Sequence, residues 1–226
     1  IGIEIVEYKV SINQKQAIEY SSQIGFPLAM KVLSNHILHK TETGGVELNI
    51  KNLDEMKISF QKLSDVFQKL KIKSNEEKFI IQKMEKGVSE IILGYRVDEL
   101  VGPIVVIGSG GIMSDIYNDK SIRMAPVDIT EAKKMIKEVK SLVAITGYRG
   151  LPKADINIIA NAVVNMSKFA FVKEIKEAEI NPVIVKKDDA GIVAVDGLIT
   201  LSWYFFGQSF IKKKKYLHVK EFFYHY

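Results

Sequence analysis

"PLAMKVLSNHILHKTETGGVELNI", residues 27–50, is an apolar strand pattern interrupted by a lysine, followed by a His-Lys pair, two adjacent glycines and a second strand pattern. Pro27–Ser34 and Val46–Ile50 read as the two strands. Alternation along the first puts Ala29, Lys31 and Leu33 on one face. A lysine there either snorkels from a strand edge or is held by an anion, because burying an unpaired ammonium costs several kcal/mol. Gly44 and Gly45 tolerate the positive φ of a tight turn, and they also let backbone N–H groups come close to a phosphate. His39 and Lys40 lie in the same bend. Together, and in this order, these residues point to an anionic ligand in a strand-loop-strand unit.

Outward from this unit, strand and helix patterns alternate. Asn13–Gln23 reads as a short helix closed by Gly25, and "NLDE" at 52–55 as a capping box opening a helix to about Leu70. The strand signals "KFIIQKM", "SEIILGYRV" and "PIVVIGS" follow. "DITE" at 128–131 predicts a capped helix through about Ala144, and Asp155 opens another through about Phe171 with Ile156, Ile159, Ala160 and Val163 on one side. Strands are predicted at Ile175–Ile180 and Ile192–Leu201. This order argues for an α/β (α+β) chain, and its hairpin-like neighbours argue against an all-parallel sheet. No repeat of solenoid period is present.

The 226 residues carry a formal charge of +5, 47% hydrophobic and 26% charged residues, and no cysteine. Disulfides, cysteine zinc sites and thiol nucleophiles are therefore excluded, and a cytoplasmic protein is expected. No apolar run reaches the roughly 18–20 residues of a membrane span. Residues 202–226 hold five lysines and one glutamate, so the rest of the chain has 27 basic and 26 acidic residues and no footprint for nucleic acid. That tail also concentrates ten of the 21 aromatic residues. A solvated run, a docking surface and a segment foreign to the fold all remain open for it.

Two further constellations carry chemistry. Gly108-Ser-Gly-Gly111, including Gly110, follows an apolar strand, where glycine turns face either a phosphate or another backbone. It is neither a Rossmann fingerprint nor a P-loop. In "EAEINPVIVKKDDAGIVAVDG", Glu177, Glu179 and Asn181 alternate along one strand, and Asp196 falls on the return strand. Oxygen ligands on adjacent strands suit Mg²⁺, with water and phosphate completing the shell; a solvated strand face with an Asn-Pro turn is the alternative.

The blocks "GFPLAMKVLSNHILHKTETGGVELNI", "GPIVVIGSGGIMSDIYNDKSIRMAPV", "TGYRGLPKAD" and "EAEINPVIV…AVDG", in this order, resemble the ATP-grasp nucleotide-binding (beta) subunit or domain of ADP-forming acyl-CoA synthetases (acetate–CoA ligases), relatives of succinyl-CoA synthetase. The likeness runs from about Ile1 to Leu201, and the family usually has a further helical segment before the point where this chain begins. The resemblance implies an ATP-grasp fold of two lobes of mixed sheet plus helices with the nucleotide between them. The first lobe would be 1–84, the second 85–201, and 202–226 the tail. It further implies that Lys31 holds nucleotide phosphates, that Gly44 and Gly45 form the loop over them, and that Gln82–Glu85 is the hinge at the adenine and ribose. Lys40, Glu90, Gly110 and Gly111 are further ATP-binding candidates on the same ground. Asn181 and Asp196 match the Mg²⁺ ligands, with Glu179 beside them. His39 falls where the family carries a phosphorylatable histidine. A neutral imidazole is nucleophilic near pH 7, and its phosphoramidate returns the phosphoryl group to ADP. Arg123 is an additional candidate. So is Asp115, where the family shows Glu and this chain is one methylene shorter.

The expected activity is ligation: acyl-CoA + ADP + phosphate in equilibrium with acid + ATP + CoA, with this chain running the nucleotide half. No CoA-binding segment is visible, so a CoA-binding alpha-type subunit is the expected partner. Two other readings stand beside this one: an ATP-grasp carboxylate ligase that works through an acyl phosphate, and a non-catalytic regulatory nucleotide-binding module.

Overall fold

Asn13, Asn52, Asp128 and Asp155 each precede an apolar-periodic run, and each caps a helix. Their side-chain oxygens accept the N–H groups of Gln16, Glu55, Glu131 and Asn157 at 2.9, 2.9, 2.8 and 2.7 Å. One such cap contributes about 1 kcal/mol. In the computed structural model they open α1 (Gln14–Ile24), α2 (Leu53–Lys69), α3 (Ile129–Glu138) and α4 (Ile156–Ser167). The structure describes residues 1–34, 43–72, 77–111 and 118–202, with the backbone alone of 204–206 and 209–211. The chain forms two compact units, residues 6–85 and residues 1–5 with 86–226.

The smaller unit is an antiparallel sheet of order β2-β5-β3-β4, built from Tyr8–Ser11, Phe79–Lys83, Leu28–Val32 and Val46–Ile50. Leu28, Met30 and Val32 of β3 join Phe79 and Ile81 of β5 against Ala17 of α1 and Met56, Leu63 and Phe67 of α2. Phe79 fixes this core: its ring meets Phe60 at 4.5 Å and Phe67 edge-on at 5.3 Å. Burying side chains of this size contributes about 1.5–3 kcal/mol each. Because alternate residues of a strand face opposite ways, the same register sends Ala29, Lys31, Ile80 and Gln82 to the other face.

The larger unit has a sheet of order β1-β10-β9-β6-β7-β8, with β11 also paired to β9. Its strands are Glu4–Ile5, Ile192–Ala194, Ile175–Val185, Ser89–Asp98, Gly102–Ser109, Lys120–Met124 and Gly197–Leu201. Among the described residues, β1 with β10 is the one parallel pair, as the hairpin-like order of the sequence predicts. Ile91, Leu93, Val105, Ile107, Ala178 and Ile180 pack on one face with α3 and α4. The opposite face carries Glu90, Glu177, Glu179 and Asn181. β12 (Tyr204–Phe206) and β13 (Ser209–Ile211) pair as a separate hairpin within the tail.

The sequence expectations differ from this fold at five places, the first being the strand expected over Ile192–Leu201, which is two strands, Ile192–Ala194 and Gly197–Leu201, with Asp196 between them. Residues 1–5 belong to the larger unit rather than to a lobe of 1–84, because Glu4 and Ile5 pair with Val193 and Ala194. α3 stops at Glu138 rather than near Ala144: Val139 is extended, and a 3₁₀ turn, Lys140–Ile145, begins anew where the Asp119 carboxylate accepts the N–H groups of Lys140 and Ser141. β9 runs on through Asn181-Pro182, a cis peptide, to Val185 instead of turning there. Strand β8, Lys120–Met124, has weak alternation and was not expected from the pattern.

Candidate functional site

In the smaller unit, Lys31 and Gln82 are buried, 5% and 3% exposed, on the face turned away from α1 and α2. Lys31 lies opposite Ile80, so Gln82, two residues on, is its diagonal neighbour, within reach of a long side chain. The same lysine lies opposite Val46 across β4. The preceding Gly45 accepts the Val32 N–H at 2.9 Å, and Gly44 has φ 70°, the left-handed turn conformation glycine favours. The structure thus brings Lys31, Gly44, Gly45 and Gln82 to one part of the sheet. Beyond Gln82 the chain is pinned to both neighbours: the N–H of Lys83 binds the Glu7 carbonyl at 3.0 Å, and that of Met84 the Pro27 carbonyl at 3.1 Å. The predicted hinge residue Glu85 is half-buried, and the smaller unit ends at it.

In the larger unit, the candidates gather around a bulge of β9. Leu93 pairs with Ile180 and Ile91 with Val183, so Asn181 and Pro182 form the irregular step. A bulge of this kind re-aims a side chain. The Asn181 amide oxygen accepts the N–H of Gly111 at 3.1 Å, and the Gly110 N–H binds the Glu90 carbonyl at 2.9 Å. Asp196, between β10 and β11, is placed by its backbone. Its carbonyl accepts the Asn181 N–H at 3.1 Å, while its carboxylate accepts the Gly197 N–H at 3.0 Å. Glu179, one alternation away from Asn181, lies opposite Gly94 and Leu198. No side chain fits at Gly110, where a Cβ would lie 2.5 Å from the Ile91 carbonyl carbon, whereas a Cβ on Gly111, at φ 64°, would displace the Glu90 carboxylate.

Arg123 takes a different place. Its guanidinium binds Glu131 at 2.7 Å, the Ser121 hydroxyl at 3.3 Å, the Ile122 carbonyl at 2.9 Å and also Glu138, tying β8 to α3. Hydrogen bonds from Arg123 hold the carboxyls of Glu131 and Glu138 below their usual range. His39, Lys40 and Asp115 lie outside the described residues. The sequence reading missed Asp119, which fastens the glycine loop from behind. The Asn-Asp pair at 118–119 before a strand was its signal, since Asn118 adopts φ 47° and asparagine tolerates such left-handed turn positions.

All the candidate metal ligands are hard oxygen donors: two carboxylates and one amide. Among the described residues no group of three or more His, Cys, Asp or Glu side chains is arranged to hold a metal. Few protein oxygens suit Mg²⁺, which keeps several waters and binds through one or two carboxylates plus substrate phosphates. The donor set therefore fits a nucleotide-bound Mg²⁺.

Residues 1–201 match the ATP-grasp domain family. Subunit beta of acetate–CoA ligase [ADP-forming] I from Pyrococcus furiosus is 36% identical over 201 residues, which cover 88% of this chain and 86% of that subunit. Acetate–CoA ligase [ADP-forming] I from Archaeoglobus fulgidus is also 36% identical, but the match covers 28% of its length. Among solved structures, acetyl-coenzyme A synthetase 1 of Ca. Korarchaeum cryptofilum, in complex with coenzyme A and Ca-AMPCP, superposes with a TM-score of 0.79 at 31% identity. The match covers 89% of this chain and 87% of that one. A second structure of that enzyme, with coenzyme A and Mg-AMPPCP, has a phosphohistidine segment pointing towards its nucleotide-binding site, and a TM-score of 0.70. Fold, length and residue pattern agree: the chain belongs to the ATP-grasp family, in the branch of the beta subunits of ADP-forming acetate–CoA ligases.

Proposed function

We propose that this chain is the nucleotide-binding subunit of an ADP-forming acyl-CoA synthetase, exchanging a phosphoryl group between His39 and ADP. The observation that carries the reading is that Asn181 is hydrogen-bonded both to Gly111 of the glycine loop, 70 residues away, and to Asp196, while the neighbouring Gly110 is bonded to Glu90. Asn181 and Asp196, with Glu179 beside them, hold Mg²⁺, which when bound offsets the charge of the phosphate oxygens. Lys31, on a buried strand, binds phosphate oxygens. Gln82 and Glu85 meet the base and ribose.

In the direction of ATP synthesis, the N–P bond of phosphohistidine breaks while a terminal oxygen of ADP forms the new P–O bond. The imidazole leaves as the neutral base or takes up a proton. Most catalysis of such a transfer is positioning and charge stabilisation rather than covalent assistance. A neutral, preformed backbone loop at Gly110–Gly111 serves the first, and Lys31 the second. The relatives named as separate beta subunits, together with the fused Archaeoglobus enzyme, support a CoA-binding partner subunit that carries out the acyl half of the reaction. Among the described residues no helix is long and apolar enough to cross a membrane.

Titration calorimetry of the full chain tests this. ADP is expected to bind in the presence of Mg²⁺, with no acyl-CoA formed from acid, ATP and CoA. Formation of acyl-CoA by this chain alone would refute the division of labour, and absence of nucleotide binding would refute the reading itself.

A further inference from the structure

We infer that Asp119 is a positioning residue for the metal-binding amide, acting through the glycine loop; this rests on the proposal that Asn181 holds Mg²⁺. Asp119 is bonded in two directions. Backwards, its carboxylate accepts the N–H groups of Lys140 and Ser141 at 3.0 and 2.7 Å. These open the 3₁₀ turn whose Leu142 and Ile145 are sunk in the core. Forwards, its carbonyl accepts the Ser109 N–H at 3.0 Å. The same carbonyl presses on Gly108, where a Cβ would lie 2.9 Å from it. From Ser109 the next two N–H groups run to the Glu90 carbonyl and to the Asn181 amide oxygen, at 2.9 and 3.1 Å.

A chain of contacts therefore leads from the core turn, through Asp119, to the amide group that meets the cation. An asparagine amide can turn over, presenting N–H₂ where oxygen is needed. The Gly111 N–H, held in place, selects the orientation that puts oxygen towards it and the other lone pair free for a cation. If Asp119 loses one of its backward bonds, the glycine loop gains freedom and this selection weakens. A structural role alone predicts lower stability and nothing specific to Mg²⁺. A positioning role predicts a change in metal dependence in addition to any loss of stability.

The test uses the full chain and three readouts: binding of ADP at varied Mg²⁺, binding of ADP in EDTA, and amide hydrogen exchange at Gly111. Asp119→Asn keeps the size of the side chain but replaces one acceptor oxygen by a donor. It is expected to raise the Mg²⁺ concentration for half-maximal ADP binding about tenfold, the order of one lost hydrogen bond to a charged group. Binding in EDTA is expected to stay unchanged, and Gly111 to exchange about tenfold faster. Asp119→Glu, which keeps both acceptors, should restore part of the Mg²⁺ response. Val163→Ala, a cavity on the core face of α4 that removes none of these hydrogen bonds, should lower stability and leave the Mg²⁺ response alone. In the unmutated chain, Mg-ADP should slow exchange at Gly111, Lys140 and Ser141 together. That measurement decides the matter even if the variants fail to fold. Slowed exchange at Gly111 alone, or a wild-type Mg²⁺ response in Asp119→Asn, would overturn the inference. Loss of Mg-dependent binding in the unmutated chain would overturn the underlying functional reading instead.

Discussion

Replacing Gly110 with alanine puts a methyl carbon 2.5, 2.6 and 2.8 Å from the carbonyl carbon, oxygen and nitrogen of Ile91. Ordinary contact between carbons is about 3.5–4.0 Å, so one side must move by about 1 Å. Ile91 cannot yield, because it is held in the middle of the sheet by Ser109 on one side and Val183 on the other. The glycine loop has to move instead. A shift of that size stretches the 2.9 Å bond from Gly110 to Glu90 and the 3.1 Å bond from Gly111 to Asn181 past useful length. Two lost hydrogen bonds at about 1 kcal/mol each, with about 1–3 kcal/mol of overpacking, give a cost of about 3–5 kcal/mol. At about 2–4 °C per kcal/mol for a chain of this size, the larger unit should melt roughly 6–20 °C lower. A misplacement of about 1 Å near the reacting groups also costs on the order of a hundredfold in rate. Thermal melting and the rate of phosphoryl transfer from [γ-³²P]ATP measure the two effects. By contrast, a Cβ on Gly44 meets nothing within 4 Å, so Gly44→Ala should cost only the strain of its positive φ, about 1 kcal/mol. If Gly110→Ala melts and phosphorylates like the unmutated chain, the account of the loop is wrong.

Lys31→Met keeps the length of the side chain and removes its charge from a buried site. Nucleotide affinity should fall at least about tenfold while the melting temperature changes by only a few degrees, measured by calorimetry and thermal denaturation. Unchanged affinity would show that this lysine does not meet phosphate. Asn181→Ala removes the acceptor of the Gly111 N–H, so half-maximal nucleotide binding should need about tenfold more Mg²⁺. Acid should destabilise the larger unit in a definite window. Burial raises the Asp119 carboxyl, but the N–H groups of Ser141 and Lys140 outweigh it and hold the group below its usual range. Hydrogen bonds from the N–H groups of Leu100 and Val101 lower Asp98 in the same sense. A group with a lowered folded-state pKa binds fewer protons folded than unfolded, so its stabilisation is full above about pH 4 and is lost as pH falls through the folded value. Denaturant melts between about pH 5 and 2 should show this fall, and Asp119→Asn should flatten part of it.

Local chemistry made much of the fold readable. Caps at Asn13, Asn52, Asp128 and Asp155 and alternation in β3, β5, β6 and β7 depend on residues close in the chain, and these elements stand where they were predicted. The pairing of residues 1–5 with β10 depends on partners some 190 residues away, and a pattern of neighbours contains no trace of it. The same holds for the end of α3, where a distant carboxylate, Asp119, restarts the backbone as a 3₁₀ turn. Within the candidate site, Glu179 and Asn181 lie on β9 as the alternation predicted, whereas Asp196, expected on the return strand, lies between β10 and β11. That Gly111 sets the Asn181 amide was not legible, because the loop and the strand meet only in space. Arg123, an additional candidate within one of the resembling blocks, has its guanidinium engaged with Glu131 and Glu138.

Phosphoryl relay through His39 is the claim on which the functional account depends. Incubating the full chain with Mg²⁺ and [γ-³²P]ATP, then testing the label for acid lability and base stability and mapping it by mass spectrometry, measures it directly. The account predicts a label on His39 that ADP removes as ATP, and none in His39→Asn. A protein that binds Mg-ATP yet takes up no label at His39, or one whose label survives His39→Asn, would contradict it.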